Sequence, residues 1–258
     1  MRSIYPFIII VITVAFSSCT NPDDQLPQVI RLSVNENNDN HFMALAGDEL
    51  KIDLDLKDNK SLKQLMVQVK TKSGFHHLEA ESETTFFKQL GFGALDTIIL
   101  YKLNGQPEQS ISIQFPLHDS LLGKCDMTIG LLDDNGNYFT KTYDLYIHNM
   151  RVPSLMMNSI YPTPEESVIH IHAAEISSLL LNGQIIDSTG LSNIKAYLAS
   201  NNQIFWEQSW ELTPDIWQFD LHTIQINQEV PIGRYNLTIE AKDIENWISV
   251  FRGDVQVH

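Results

Sequence analysis

Two histidines, His170 and His172, have the residue type and spacing best suited to chemistry in this sequence. They alternate with apolar residues over positions 169–173, and positions i and i+2 of a strand share one face. Both imidazoles could therefore reach one metal ion, and Glu175 could add a carboxylate if the strand bends. Zinc and copper suit such ligands. The alternative is a plain solvated strand face, because two ligands are few for a strong site.

Motifs of the common enzyme classes are missing from the sequence, which contains no nucleophile elbow, P-loop, HExxH or dinucleotide-binding glycine pattern. The two cysteines, Cys19 and Cys125, exclude a four-cysteine zinc site and a disulfide-rich scaffold. Cys125 lies in an alternating apolar pattern, which is typical of a buried core residue rather than a nucleophile. We therefore expect a protein that is not an enzyme and needs no cofactor, with zinc or copper as the alternative.

Aromatic residues are the second group of candidates, because all four tryptophans lie between positions 206 and 247. Trp206 and Trp210 share one face of a predicted strand with apolar neighbours, which favours packing between two sheets. The alternative is an aromatic platform for a sugar or a partner protein. Phe205 falls on the opposite face beside Glu207, and it is the better candidate for an exposed, binding aromatic.

Composition narrows the classes of partner. The chain has 258 residues, with 17 Lys and Arg against 32 Asp and Glu, which gives a net charge of -15. Such an acidic balance argues against nucleic acid as the main partner, since a nucleic-acid backbone requires a basic patch. A hydrophobic content of 43% excludes disorder throughout, and the length allows two ordinary domains.

The start of the chain is typical of an exported protein. Arg2 precedes an uninterrupted apolar run at positions 7–16, which is short for a membrane span and suited to a signal peptide. The following Phe-Ser-Ser-Cys resembles the lipobox of bacterial lipoproteins. That resemblance implies a signal peptide at 1–18 and a lipid-bearing Cys19. The alternative is ordinary secretion with an incidental Cys19.

Residues 19–27 are polar and twice interrupted by proline, so we expect a flexible tether. Their acidic residues resemble the surface-export signals of Bacteroidota lipoproteins. This resemblance implies an outer-membrane location, on the periplasmic side or at the cell surface. Three Asp-Ser or Asp-Thr pairs also resemble the O-glycosylation sequon of Bacteroidota exported proteins, although such pairs are common in turns. The candidate acceptors are Thr97, Ser120 and Ser188.

An internal repeat determines the expected architecture. Residues 122–148 align without a gap with residues 232–258, at a constant spacing of 110. Upstream, residues 50–54 resemble 169–173, which would place Lys51 and Asp53 at the positions of the two histidines. Residues 61–65 resemble 190–194. The mature chain is therefore expected to contain two copies of one unit.

Each unit has the period-2 pattern of β-strands, as in Leu50, Ile52 and Leu54. The segment 133–137 superficially resembles a calcium loop, but its Asn-Gly pair favours a hairpin turn. We find no amphipathic stretch long enough for a helix. The sequence therefore predicts an all-β protein of two tandem, immunoglobulin-like, antiparallel β-sandwich domains at 28–149 and 153–258. The join is short, so limited hinge freedom is expected.

The second unit resembles the immunoglobulin-like repeat of Bacteroidota lipoproteins of unknown function. The residues that match the repeat are Gly190, Leu191, Ile194, Gly233, Tyr235, Leu237, Ile239, Ala241 and Asp243. The first unit departs from the pattern, with Cys125 at the position of Tyr235. The resemblance implies location and architecture but no activity.

Three functions are consistent with these features. The first is a binding or scaffold lipoprotein that is anchored to the membrane and docks on an outer-membrane protein. The second is a zinc- or copper-binding accessory lipoprotein built on His170 and His172. The third is a carbohydrate-binding surface lipoprotein that uses exposed aromatics. Function cannot be inferred from a sandwich fold itself, because such folds support many functions.

Overall fold

The structure is a computed structural model that describes residues 25–38, 42–76 and 86–258. It is built almost entirely of β-strands. The first ten strands are β1 (Gln28–Val34), β2 (Phe42–Leu45), β3 (Glu49–Lys57), β4 (Leu62–Thr71), β5 (Gly74–His76), β6 (Lys88–Gly91), β7 (Asp96–Lys102), β8 (Glu108–Pro116), β9 (Gly123–Asp133) and β10 (Tyr138–His148). The remaining strands are β11 (Ser154–Tyr161), β12 (Val168–Ile171), β13 (Leu180–Ile186), β14 (Leu191–Ser200), β15 (Gln203–Glu211), β16 (Gln218–Asp220), β17 (Gly233–Asp243) and β18 (Ile248–Val257).

The first sandwich packs a sheet of order β1-β3-β8 against a sheet of order β2-β10-β9-β4-β7. β2 runs parallel to β10, and the other pairs are antiparallel. The alternating pattern of β3 determines its inner face, since Leu50, Ile52 and Leu54 are buried while the intervening charged residues reach solvent. Cys125 is buried in the same core.

The second sandwich has the same plan. A sheet of order β11-β13-β16 packs against β15-β14-β17-β18, and β12 pairs in parallel with β18. Leu237, Ile239 and Ala241 of β17 are fully buried between the two sheets. The prediction of an all-β fold with antiparallel β-sandwich domains is confirmed. Short 3-10 helices at Ala173–Ser178 and Leu221–Thr223 interrupt the strands.

The repeat is confirmed for the hairpin β9–β10, which corresponds to β17–β18, and for β4, which corresponds to β14. The proposed match of 50–54 with 169–173 is wrong. β12 pairs in parallel with β18 as β2 pairs with β10, so β12 corresponds to β2 rather than β3. An alternating apolar pattern occurs in every half-buried strand, and a five-residue match therefore does not determine which strands correspond.

One hairpin connects the two sandwiches in addition to the covalent linker. The hairpin β5–β6 leaves the first sandwich between β4 and β7, and β6 pairs antiparallel with β18 of the second. Its register places Gln89 opposite Phe251 and Lys88 opposite Arg252. Two strands that lie within positions 28–149 therefore extend the sheet of the second sandwich, which the sequence did not predict. None of the described helices is long and apolar enough to cross a membrane.

Candidate functional site

The joint between the sandwiches is built around two phenylalanines that precede β6. Phe86 and Phe87 are 3% and 7% exposed, and both belong to the hydrophobic core of the second sandwich. The ring of Phe86 lies over Gly253 of β18, where a Cβ atom would come within 2.1 Å of the ring. Glycine at this position therefore creates the space that an aromatic ring from the first domain fills.

A buried polar chain joins β6, β18 and the linker. The side-chain Nε2 of Gln89 donates to Ser249 Oγ at 3.1 Å, and this hydroxyl donates to the carbonyl oxygen of Pro153 at 2.6 Å. Ser249 is fully buried, so both hydrogen bonds are shielded from water. On the opposite face, the Arg252 guanidinium lies 4.0 Å from the centroid of the Phe75 ring.

The hairpin is also fixed to its own domain. Phe92 and Leu122 exchange backbone hydrogen bonds of 2.9 and 3.0 Å. Beside them, Gly91 and Gly123 approach so closely that a Cβ on Gly123 would lie 2.8 Å from the Cα of Gly91. The linker is held as well, because Asn149 Nδ2 donates to the Asp119 carbonyl at 2.6 Å. The hairpin β5–β6 and the linker therefore each attach the second sandwich to the first.

An apolar groove of about 330 Å³ opens at this joint. Its walls come from both domains: β6 and the following residue on one side, and the β17–β18 turn and the start of β18 on the other. The lining residues are Leu90, Phe92, Asn246, Trp247, Ile248 and Val250. Ile248 remains 46% exposed. Concave apolar surfaces at domain interfaces are common binding sites.

Cys125 does not have the properties of a nucleophile. Burial raises the pKa of its thiol to about 12, and the neighbouring Asp126 carboxylate adds to this shift. The thiolate is the reactive form, so a buried thiol of high pKa is inert. This agrees with the core position expected from the sequence.

The two predicted metal ligands lie on an exposed face of the second sandwich together with a third histidine. His170 Nδ1 lies 3.0 Å from His258 Nε2, and the His172 ring centroid lies 6.3 Å from that of His258. Glu175 lies in the 3-10 helix that follows. Across the described residues, no group of three or more His, Cys, Asp or Glu is arranged to hold a metal ion.

Sequence reasoning missed His258. The signal that would have found it is the parallel pairing of β12 with β18, which places the two strand ends side by side. This pairing could not be derived while residues 169–173 were matched to β3.

The predicted binding aromatic, Phe205, lies at a bulge between β14 and β15. It is half-buried and packs edge-on against Tyr235, with ring centroids 5.1 Å apart. Trp206 is buried in the core as expected. Trp217 is the most exposed tryptophan at 58%, and it precedes β16 at the end of the second domain that faces the joint.

The candidate modification sites fall in different environments. Thr97 is half-buried on β7, and Ser120 Oγ lies 3.5 Å from His118 Nδ1. Ser188 is exposed in the turn between β13 and β14. Cys19, the signal peptide 1–18 and most of the tether lie outside the described residues.

These features define an all-β protein of two sandwiches joined by a shared strand, with an open groove at the joint. The chain belongs to the family described as domain of unknown function DUF4625, whose model matches residues 17–149. The match covers the first sandwich and the hairpin β5–β6, and the second sandwich lies beyond it. The comparison with curated proteins gave no match.

Two solved structures are similar over most of the chain. One is the native conformation of Escherichia coli alpha-2-macroglobulin, with a TM-score of 0.44, 14% identity, and coverage of 92% of this chain and 16% of that protein. The other is dimeric latent PorU from Porphyromonas gingivalis, with a TM-score of 0.34, 8% identity, and coverage of 94% and 21%. This chain thus spans a small part of either protein, and nothing about function follows from these likenesses.

Proposed function

We propose that this protein is a non-enzymatic binding or scaffold lipoprotein of the cell envelope, held at the outer membrane through Cys19 and docking on a protein partner. The observation that carries the proposal is the apolar groove at the domain joint. Trp247 and Ile248 contribute apolar surface to it, and burying such surface against a partner is favourable by about 25 cal/mol per Å².

The groove suits binding because its walls are held in place. The strand β6 is fixed to both sandwiches, so Leu90 and Phe92 stay opposite Trp247 and Ile248 without a partner. A preorganised surface loses less conformational entropy on association than a flexible one. Asn246 at the rim adds a polar group that can orient an incoming segment.

The test is capture of partners from cells that express the full-length lipoprotein, with Ile248→Glu compared against Leu100→Glu. Leu100 lies on edge strand β7 of the first sandwich and is 62% exposed, so it is a matched apolar surface residue away from the groove. We expect Ile248→Glu to abolish capture of a partner that the wild type and Leu100→Glu both retain. Equal capture by both variants would contradict docking at the groove.

The anchor is tested separately with Cys19→Ala. Lipidation with more than one chain gives stable membrane attachment, so the variant should move from the membrane fraction to the soluble fraction. A variant that stays in the membrane fraction would contradict anchoring through Cys19.

A carbohydrate ligand is a second candidate, favoured by the exposed ring of Trp217 near the same joint. Sugar rings stack on exposed aromatics, so binding would change tryptophan fluorescence and be lost in Trp217→Ala. A glycan that binds Trp217→Ala and wild type equally would contradict this candidate.

A further inference from the structure

The strand β7 lies at an edge of the first sandwich, and its outer side pairs with no strand among the residues that the structure describes. Its register with β4 determines which backbone groups are free. The Leu103 N–H donates to the Lys63 carbonyl at 2.9 Å. At the other end of the pair, the Thr71 N–H donates to the Leu95 carbonyl at 2.9 Å. Because bonded and non-bonded pairs alternate along an antiparallel ladder, the odd-numbered residues of β7 bond to β4, and the even-numbered residues direct their N–H and C=O groups towards the open edge.

The open edge also carries apolar side chains on the outer face of the sheet. Ile98 and Leu100 point away from the core and are 56% and 62% exposed. Edge strands are usually protected from pairing by a proline, a bulge or a charge within the strand. β7 has none of these, and its charged residues, Asp96 and Lys102, stand only at its two ends. Such a strand is a template for pairing with another strand.

The sequence of β7 is complementary to itself. When two copies pair antiparallel about Ile99, Asp96 of one copy faces Lys102 of the other, and Ile98 faces Leu100. Both members of each of these pairs are even-numbered, so their free backbone groups face each other as an antiparallel ladder requires. A shift of the register by two residues would lose both charge pairs. Charge and backbone geometry therefore favour the same register.

We propose that β7 pairs antiparallel with β7 of a second copy of this chain, in the register centred on Ile99, and joins the two five-stranded sheets into one. Lys102 forms no ion pair within the described part of the chain, so its ammonium group is available to the second copy. Asp96 contacts Lys70 at 3.5 Å in an exposed pair, which leaves its carboxylate accessible. A single strand pair is a small interface, and each chain carries a net charge of -15, so we expect a reversible dimer.

The second sandwich protects the equivalent edge. β15 pairs with β14 as β7 pairs with β4, but a bulge at Phe205 interrupts its register. Its outer face carries Glu207, whose carboxylate lies 2.9 Å from the Lys195 ammonium, in place of exposed aliphatic side chains. The pairing edge is therefore a property of the first sandwich and not of the repeat.

The first test is disulfide formation in cells that express the full-length chain. In the proposed register the two copies of Ile99 form a non-hydrogen-bonded pair, with Cα atoms about 4.5 Å apart, which a disulfide can span. Ile99→Cys should therefore give a linked dimer after mild oxidation, measured on a non-reducing gel against the background of the wild-type chain. Tyr101→Cys is the matched control, because its two copies would lie about 13 Å apart and should not be linked. Equal linking by the two variants, or no linking of Ile99→Cys, would overturn the proposal.

The second test exchanges the charges at the ends of the strand. In the Ile99→Cys chain, Lys102→Asp places two carboxylates opposite each other at both ends of the pair, and the yield of linked dimer should fall about threefold to tenfold. Adding Asp96→Lys restores opposite charges and should restore the yield. Arg234→Asp is the control, since it makes the same change in net charge at an exposed residue of β17. A charge-exchanged chain that does not recover would overturn the register.

The pairing edge and the groove are separate surfaces, and their tests separate them. In the Ile99→Cys chain, Leu100→Glu should lose the linked dimer, because the new carboxylate faces an apolar residue of the second copy. The same substitution should leave capture of the groove partner intact. Ile248→Glu should have the opposite pattern. The two proposals therefore fail independently.

Discussion

Tyr143 and Gly253 occupy equivalent positions of the repeat, 110 residues apart. The space at this position is filled differently in the two sandwiches. Tyr143 turns its ring against Phe42 on the parallel strand, with centroids 5.8 Å apart. Gly253 has no side chain, and the ring of Phe86 from the first domain fills the space. The first sandwich fills this space with its own residues, and the second needs residues of the first.

The sheet that contains β18 also receives a strand from the first domain, which the sheet that contains β10 does not need. β18 pairs with β6 at Phe251 and Arg252, whereas the corresponding part of β10 pairs with no strand other than β9 among the residues that the structure describes. Burying a phenylalanine contributes about 1.5–3 kcal/mol, so Phe86 and Phe87 add a substantial part of the stability of a small domain. We infer that the second sandwich depends on the first for folding.

The largest expected effect comes from filling the space at Gly253. In Gly253→Val the new side chain and the Phe86 ring cannot share the site, because a Cβ alone would lie 2.1 Å from the ring. We expect a loss of about 3 kcal/mol or more in the free energy of unfolding, measured by chemical denaturation. Gly233→Ala is the control, since its Cβ would meet nothing closer than 3.5 Å.

A double variant sharpens this comparison. If Phe86 is the group that the introduced valine displaces in Gly253→Val, then Phe86→Ala should relieve the clash, and the two substitutions together should cost less than the sum of their separate effects. Residues in contact typically show such coupling of about 0.5–3 kcal/mol. Strict additivity would mean that the ring and the glycine do not share a site, and the two sandwiches would then differ less than we infer.

A smaller effect is expected from the hydroxyl of Ser249, which connects β6 to the linker. Ser249→Ala removes the acceptor of Gln89 and the donor to the Pro153 carbonyl, and it leaves both groups buried. We expect a loss of about 1–3 kcal/mol. Ser110→Ala is the control, because the Ser110 hydroxyl donates to Asp55 in an exposed pair that water can replace. Equal losses of stability in the two variants would contradict a larger contribution from the buried hydrogen bonds of Ser249 at the joint.

The period-2 patterns and the turn signals were sufficient to predict the fold class, because strand alternation and Asn-Gly turns are local properties of the chain. The pairing of β6 with β18 was not predictable. It joins Gln89 to Phe251 across a large sequence separation, and the short β6 has no alternation of its own. The glycine at 253 was the one available sign, since it replaces a tyrosine in the repeat.

The candidate sites divide in the same way, into residues that local spacing predicts and residues that only the tertiary structure brings together. His170 and His172 were identified because their spacing alone places them on one face. His258 required the parallel register of β12 and β18, and the groove required a contact between domains. Phe205 was expected to be exposed, but a bulge at this point turns its ring towards Tyr235, and a regular alternation cannot anticipate a bulge.

The smallest expected effect concerns two aspartates at equivalent turns, Asp133 and Asp243. Both are buried, and each accepts a backbone N–H at 2.8 Å, from Asn137 and Trp247 respectively. Only Asp133 also receives a side-chain amide, from Asn137 Nδ2 at 2.7 Å. Burial raises the pKa of Asp243 above its ordinary value of 3.8; the Trp247 N–H opposes this shift, and the nearby Asp187 carboxylate adds to it.

A raised pKa means that the folded state binds the proton of Asp243 more tightly than the unfolded state does. Its contribution to stability is therefore present at low pH and is lost as the pH rises above 3.8 through the folded pKa. Asp243→Asn should remove this dependence, and at neutral pH it should be as stable as wild type or more stable by about 1 kcal/mol or less. Asp133→Asn should instead cost about 1–3 kcal/mol, because the charged acceptor of the two Asn137 hydrogen bonds is lost. Denaturation of both variants from about pH 4 to about pH 7 checks this difference, and equal losses would show that the two turns are electrostatically alike.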